Sequence, residues 1–238
     1  MTKVNVEYNK DTLELVNELA EKINANNTVQ FEREGDQVTI KACDVAESVV
    51  YIFKADKSHF NFDEDMCTFY NFPEFYNLLK SFNEPEIVQE GQTLTIKENR
   101  SRIKYQLSDD DIIDEDEKIE DVDWDSSDIV LNLTQDNISK ISKMSNAIEA
   151  DKVKLVVKDE QLTVKLFNNK HDNTYDDVFD VTNPQDLNLE LVLEKDLFNK
   201  IPLGDYTVNI NEDLLVQFVL KNVEGFTIEI YASQMSED

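Results

Sequence analysis

The residue types that most often carry catalysis are sparse in this chain and badly spaced for it. His59 and His171 are the only histidines and lie far apart, and Cys43 and Cys67 form no paired Cys-x-x-Cys set, so no metal-ligand spacing stands out. The chain has four glycines, too few and too scattered for a phosphate-cradling loop, and it lacks a Gly-x-Ser-x-Gly elbow. Carboxylates are so abundant, 51 Asp and Glu, that no pair singles itself out as an acid and base. The run from Asp109 to Asp125 could attract Ca²⁺ or Mg²⁺ loosely, but it lacks the ordered loop and central glycine of an EF-hand. The expectation is no enzyme, no cofactor and no metal centre. Cys43 and Cys67 read as small core residues.

What remains is binding chemistry, and the charge frames it. With 23 basic residues against 51 acidic ones, the formal charge is −28. Such a surface repels other polyanions and keeps the chain soluble. The informative cations are those at helical spacing. Lys140 and Lys143 stand three apart, Lys195 and Lys200 flank another short helical pattern, Lys80 ends a third, and Lys10 and Lys22 bracket a fourth. Ammonium groups on exposed helix faces bind phosphate oxygens without reading bases. Equally, such lysines can be ordinary solvated helix residues.

The elements that must position them are mostly strands. Thr28 to Glu32, Gly35-Asp36 and Gln37 to Cys43 read as a hairpin, as do Pro85 to Gln89, Gly91 and Gln92 to Glu98. Ser48 to Lys54 is rich in β formers, and Ser101 to Leu107 alternates Ile103, Tyr105 and Leu107 with Arg102, Lys104 and Gln106. Asp11 to Asn24 puts Leu13, Val16, Leu19, Ala20 and Ile23 on one helical stripe, with Asp11 as its expected cap. Pro73 suits the first turn of a second helix reaching Phe82. Between Asp109 and Asp128 an acidic stretch should stay extended as a connector, with Ile112, Ile113 and Trp124 as its apolar exceptions.

After the connector the outline recurs. Ile129 to Leu133 is a strand. Thr134 caps a helix carrying Ile138, Ile141, Met144 and Ile148, and Lys152 to Lys158 with Gln161 to Phe167 makes a hairpin. Gln37-Val38-Thr39-Ile40 aligns with Gln161-Leu162-Thr163-Val164, and a helix from Glu194 to Ile201 matches the one at Pro73. Strands at Tyr206 to Ile210, Leu214 to Leu220 and Phe226 to Tyr231 close the second half. A repeat of about 120 residues is a duplicated domain, too long for a solenoid unit. The expected division is 1–108, a connector at 109–128, and 129–238, in an α+β fold.

Three strings then carry a resemblance: Lys10-Asp11-Thr12-Leu13-Glu14-Leu15-Val16, Phe72-Pro73-Glu74-Phe75-Tyr76-Asn77-Leu78-Leu79, and Ile201-Pro202-Leu203-Gly204-Asp205-Tyr206-Thr207-Val208. With the duplicated layout, the acidic connector and the ending Thr227-Ile228-Glu229-Ile230-Tyr231-Ala232-Ser233-Gln234, the chain resembles DNA sliding clamps. The likeness is to those of T-even-like bacteriophages, with the cellular proliferating cell nuclear antigen (PCNA) as a more distant relative. The resemblance implies the DNA clamp fold, with sheets outside and two short helices per domain on an inner face. It further implies a homotrimeric ring around double-stranded DNA, a clamp loader, and a polymerase C-terminal peptide as partner. Lys10, Lys22, Lys80, Lys140, Lys143, Lys195 and Lys200 would face the DNA. Carried over from relatives, the peptide pocket would involve Val45, Ile112, Ile113, Leu214, Tyr231 and Ala232.

Ile112 and Ile113 have a physical reason as well. Burial over a pocket would stabilise each by about 1.5–3 kcal/mol at most, although pinning the connector to the core would serve equally. The N-terminus carries no signal-peptide run and no stretch approaches the roughly 18–20 apolar residues of a membrane helix, so a soluble, cytoplasmic protein is expected, in the host cytoplasm if phage-encoded. A second reading stays open: an acidic DNA mimic that occupies a basic groove on another protein. A two-domain structural protein is a third.

Overall fold

Alternating strand patterns and short turns lead to antiparallel sheets and, among the described residues, four α-helices. The computed structural model describes residues 3–23, 27–43, 49–62, 65–109, 124, 128–168, 170–182, 187–221 and 224–234. The order in the first half is β1 (Val4–Tyr8), α1 (Lys10–Ile23), β2 (Val29–Glu34), β3 (Gln37–Cys43), β4 (Val49–Asp56), a 3₁₀ turn at Lys57–His59, β5 (Phe60–Asn61), β6 (Met66–Phe69), α2 (Phe72–Lys80), β7 (Glu86–Glu90), β8 (Thr93–Glu98) and β9 (Ser101–Gln106). The second half runs β10 (Ile129–Leu133), α3 (Gln135–Ala147), β11 (Lys152–Lys158), β12 (Gln161–Asn168), β13 (Asn173–Asp180), β14 (Leu189–Glu194), α4 (Leu197–Lys200), β15 (Tyr206–Ile210), β16 (Leu215–Leu220) and β17 (Phe226–Ser233).

Two compact units result. The first comprises Met1–Val45, Ile52–Glu120 and Glu224–Thr227, and the second Ala46–Tyr51, Asp121–Val223 and Ile228–Asp238. In the first, strands run in the orders β5-β1-β7-β8-β9 and β4-β3-β2-β6. In the second they run β10-β15-β16-β17 and β13-β12-β11-β14. Position for position, β1, β7, β8 and β9 answer to β10, β15, β16 and β17, and β4, β3, β2 and β6 answer to β13, β12, β11 and β14. The helices keep step, α1 with α3 and α2 with α4. The recurring topology read from Gln37 to Ile40 against Gln161 to Val164 is present in β3 and β12.

Local chemistry sets the helix ends. Asn9, not Asp11, caps α1: its side-chain oxygen accepts from Thr12 N–H at 3.1 Å. The cap and the first turn therefore lie two residues earlier than a cap at Asp11 suggests, and Lys10 lies inside the helix. Leu13, Val16, Leu19 and Ala20 are buried as the stripe requires. Asn71 caps α2 through Glu74 N–H, with Pro73 in the first turn, and the helix stops at Lys80 rather than Phe82. Thr134 caps α3 in a reciprocal box with Asn137, though Ser145 rather than Met144 completes the buried stripe with Ile138 and Ile141.

The fourth helix is much shorter than the Glu194 to Ile201 pattern implies. Glu194 is still paired in β14, opposite Lys152. At the other end Pro202 excludes helical backbone from its predecessor, and Ile201 is extended at φ −68°, ψ 125°. Lys195 therefore sits in the turn before α4.

The cores differ in substance. In the first unit Phe31, Phe60, Phe69, Phe72 and Phe75 form one ring cluster, with centroids 4.6 Å apart for Phe69 and Phe75 and 4.7 Å for Phe31 and Phe60. In the second, buried Val153, Leu155, Val164, Leu166, Leu191, Leu193 and Leu197 dominate, and Tyr206 adds a buried hydroxyl donating to the Pro202 carbonyl at 2.8 Å. Cys67 is buried in the first core, as a small apolar residue should be; Val45, Ile112 and Ile113 lie outside the described residues, as does the side chain of Cys43.

The stretch Glu224–Thr227 belongs to the first unit through specific contacts. Asp56 N–H donates to the Gly225 carbonyl at 3.3 Å, and Phe226 packs on Phe53 with centroids 5.5 Å apart. Gly225 has φ +82°, and a Cβ there would collide with the His59 ring, so both backbone shape and space demand glycine.

Candidate nucleic-acid interface and partner site

Within each unit the two helices pack against each other, α1 with α2 and α3 with α4. In the second, α3 and α4 are locked by a polar latch: Ser142 Oγ donates to Asn199 Oδ1 at 2.6 Å, and Asn146 and Asn199 exchange amide bonds at 3.2 and 3.3 Å. Ser145 Oγ reaches the Lys195 carbonyl at 3.4 Å, which ties the turn carrying Lys195 to α3.

The lysines on this pair are not equivalent. Lys143 and Lys195 are exposed and make no ion pair among the described residues. Lys140 instead turns toward β13. Its Nζ donates to Asp177 Oδ2 at 2.9 Å and stands 5.7 Å from the Tyr175 ring centroid, while Tyr175 donates to the same carboxylate at 2.8 Å. The Asp177 bond, then the Tyr175 phenol, raise the Lys140 ammonium above its ordinary pKa. Burial pushes Asp177 up, but the Lys140 and Tyr175 bonds outweigh it and hold the carboxyl below its ordinary 3.8. Lys200 is largely covered and paired with Glu194.

The first unit's pair is more acidic. Lys22 pairs with Glu18 one turn back at 2.7 Å, and Lys10 donates to the Asn83 carbonyl at 2.6 Å. Lys80 lies 5.1 Å from the Tyr76 ring centroid. Burial first, then the charges of Glu14 and Asp11, push the Tyr76 phenol pKa up, which places α1's carboxylates beside α2. Of the seven sequence-selected lysines, Lys143 and Lys195 are thus the most available for a phosphate.

For the partner site, Leu214, Tyr231 and Ala232 meet at one end of the β16–β17 hairpin. Val216 pairs with Ala232 and Gln217 with Tyr231, while Leu214 precedes β16 at φ +63°. Tyr231 and Ala232 are buried and Leu214 is half-buried. A hydrogen-bond chain crosses three strands here. Asn209 donates to Gln217 at 2.8 Å, Gln217 to the Tyr231 hydroxyl at 3.0 Å, and Tyr231 to Glu229 at 2.6 Å.

Trp124 adds an aromatic, its ring centroid 6.0 Å from that of Tyr231. Sequence reasoning noted Trp124 as an apolar exception but did not join it to the site. The signal was there: it is the chain's only tryptophan, set between Asp123 and Asp125. Gln217 and Glu229 carried no comparable signal. No group of His, Cys, Asp and Glu able to hold a metal ion occurs among the described residues, and no helix there is long and apolar enough to cross a membrane.

No protein-family description and no curated protein matches the sequence. Solved structures do. PCNA of A. fulgidus, bound to the C-terminal region of FEN-1, is similar at TM-score 0.72 and 15% identity, over 100% of both chains. PCNA of Entamoeba histolytica is similar at 0.75 and 10%, over 98% of both chains. PCNA of Thermococcus kodakaraensis is similar at 0.74 and 12%, over 98% of this chain and 100% of that one. At such identities the likeness speaks for the fold, and the fold it gives this chain from end to end is that of the sliding clamps.

Proposed function

We propose that this protein is a DNA sliding clamp, a non-enzymatic processivity factor that encloses double-stranded DNA and tethers a polymerase to it. The observation that carries the reading is the duplicated strand order, each copy with its own helix pair, within a clamp fold of full length. Three copies in a closed ring would present the helix pairs to the duplex, and a clamp loader would open the ring. The division into 1–108, 109–128 and 129–238 belongs to this proposal, as does the kinship with clamps of T-even-like phages and action in the host cytoplasm.

In this reading Lys143 and Lys195 make the principal phosphate contacts, and Lys10, Lys22, Lys80, Lys140 and Lys200 contribute after exchanging their present partners. Contacts of this kind position the duplex and leave it free to slide. The acidic remainder of the surface discourages DNA from binding elsewhere. Retention comes from enclosure rather than affinity. The end of the β16–β17 hairpin, with Leu214, Tyr231 and Ala232, receives the polymerase C-terminal peptide, and Val45, Ile112 and Ile113 complete that pocket. The A. fulgidus relative, bound to a C-terminal region of FEN-1, supports peptide capture as the mode of partner binding.

The charge of −28 favours one competing reading, an acidic DNA mimic. Loading onto nicked circular DNA separates the two. A clamp stays on circular DNA through a high-salt wash and slides off once the circle is linearised. Loss from both forms alike, with the loader and ATP present, overturns the proposal, and displacement of DNA from a basic protein would then favour the mimic.

A further inference from the structure

We propose that Asp177 is a built-in rival to DNA phosphate for Lys140, a carboxylate that reclaims the ammonium whenever a phosphate lets go and so keeps the hold on the duplex loose. The proposal rests on the clamp reading and deepens it: it assigns to the second unit a residue that sets how firmly the helix pair grips DNA.

The first sign is that the fold does not need this ion pair. β4 and β13 are related by a constant offset of 124, from Val49 and Asn173 at their starts to Asp56 and Asp180 at their ends. The same offset sets Tyr51 against Tyr175 and Phe53 against Asp177. On the helices, Lys140 stands six residues after the Thr134 cap, as Leu15 stands six after the Asn9 cap. The first unit thus fills these positions with a half-buried Leu15 and with Phe53 and Tyr51, each 2% exposed. An apolar filling serves this topology, and an ion pair withdrawn from water rarely stabilises more than such a filling does. Packing therefore does not account for the charges in the second unit.

The second sign is the way the pair is built. The Lys140 side chain is 55% exposed and that of Asp177 19%, so the ammonium can swing into solvent while the carboxylate stays behind. Tyr175 donates to Asp177 Oδ2 at 2.8 Å, the same oxygen that takes Lys140 at 2.9 Å. When the lysine leaves, the carboxylate keeps that hydrogen bond, which avoids the penalty of an orphaned acceptor. The Tyr175 ring, 5.7 Å from Nζ, offers the returning ammonium a second attraction. Lys200 shows the contrary arrangement: at 17% exposed against Glu194 at 22%, neither partner reaches out.

Lys140 also stands where a phosphate would find it. Lys143, on the same helix, is exposed and makes no ion pair among the described residues. Residues three apart on a helix are neighbours, so a phosphate drawn to Lys143 comes within reach of Lys140. Each capture of Lys140 by DNA then carries the loss of its Asp177 bond, and each release recovers it. Exchange between two partners of similar strength lowers the net grip without blocking contact.

The test follows a short fluorescent linear duplex by anisotropy over a range of salt concentrations, with circular dichroism to verify folding. Asp177→Asn should bind about two- to fivefold more tightly for each lysine released, the weight of one exposed ion pair. Its logarithmic salt plot should steepen by about 0.9 for each. Adding Lys140→Gln should abolish both changes, because the two residues act as one coupled pair; a mere loss of negative charge would survive that second substitution. In the parent chain, Lys140→Gln should weaken binding less than Lys143→Gln does. Unchanged affinity and slope in Asp177→Asn, or a gain that persists with Lys140→Gln, overturns the rival. Asp177→Leu, which supplies an apolar filling like that of the first unit, should repeat the result of Asp177→Asn. Failure of both variants to fold shows the pair to be a structural necessity and overturns the proposal. Retention on nicked circular DNA reads the clamp separately. A chain held on circles whose affinity ignores Asp177→Asn keeps the clamp and loses the rival. A chain never held on circles, whose affinity for linear duplex rises with Asp177→Asn only while Lys140 is present, keeps the rival and loses the clamp.

Discussion

The two units share one strand order and fill it with different chemistry. The first is held by stacked and edge-on phenylalanines, with Phe69 touching the rings of Phe31, Phe60, Phe72, Phe75 and Tyr105. The second is held by branched aliphatic side chains around Leu191, Leu193 and Leu166. The lesson is that alternation and turn placement dictate the topology, while the identity of the buried side chains is free so long as volume and polarity are kept. The helix pairs differ too. α1 carries Asp11, Glu14, Glu18 and Glu21 against two lysines, whereas α3 carries one acid, Asp136, against Lys140 and Lys143.

The comparison can be broken most forcefully in the cores. Phe69→Ala should cost about 3–5 kcal/mol and Leu191→Ala about 2–5 kcal/mol, read by urea unfolding. A loss under about 1 kcal/mol at Phe69 would show that the ring cluster does not hold the first core. Next comes the asymmetry of the helices. Lys143→Glu with Lys195→Glu should reduce DNA-dependent polymerase stimulation about tenfold and flatten its salt dependence. Lys10→Glu with Lys22→Glu should do distinctly less, because both lysines already have partners. Equal effects would erase the functional difference between the pairs.

The helix caps sharpen the comparison from the other side. Thr134→Ala and Asn9→Ala should each cost about 1 kcal/mol, since both positions satisfy an N-terminal N–H in the same way. The smallest effect is a pH dependence centred on Asp177 in the second unit. Asp177 is held below 3.8 in the folded chain, so its contribution to stability is complete above that value and fades as pH falls through its folded pKa. Asp177→Asn should therefore narrow the drop in melting temperature between neutral pH and pH 3, and an unchanged drop would remove the Lys140–Asp177–Tyr175 cluster from the account.

Much of this was legible in the residues. The hairpins around Gly35, Gly91 and Asp159 were marked by turn chemistry, and the buried stripe of α1 by its period. β13 was not visible. Its sequence, Asn-Thr-Tyr-Asp-Asp-Val-Phe-Asp, is acidic enough to read as loop, and only its pairing with β12 makes it a strand. β5 and β6 are too short to show a period, β1 hid in a segment judged only for export signals, and β14 merged with the helical pattern that follows it. At the site, spacing could find Lys140 and Lys143 but could not reveal that Lys140 spends its charge on Asp177, a residue 37 positions away in sequence. Long-range pairing of that sort leaves no local mark.

The Trp124 and Tyr231 contact makes the chain its own optical instrument. A single indole sits within efficient energy-transfer distance of a phenol at the end where a partner peptide is proposed to enter. Its ultraviolet-excited emission should shift colour and intensity when a peptide displaces or covers it. Docking could then be followed in real time without attaching any dye.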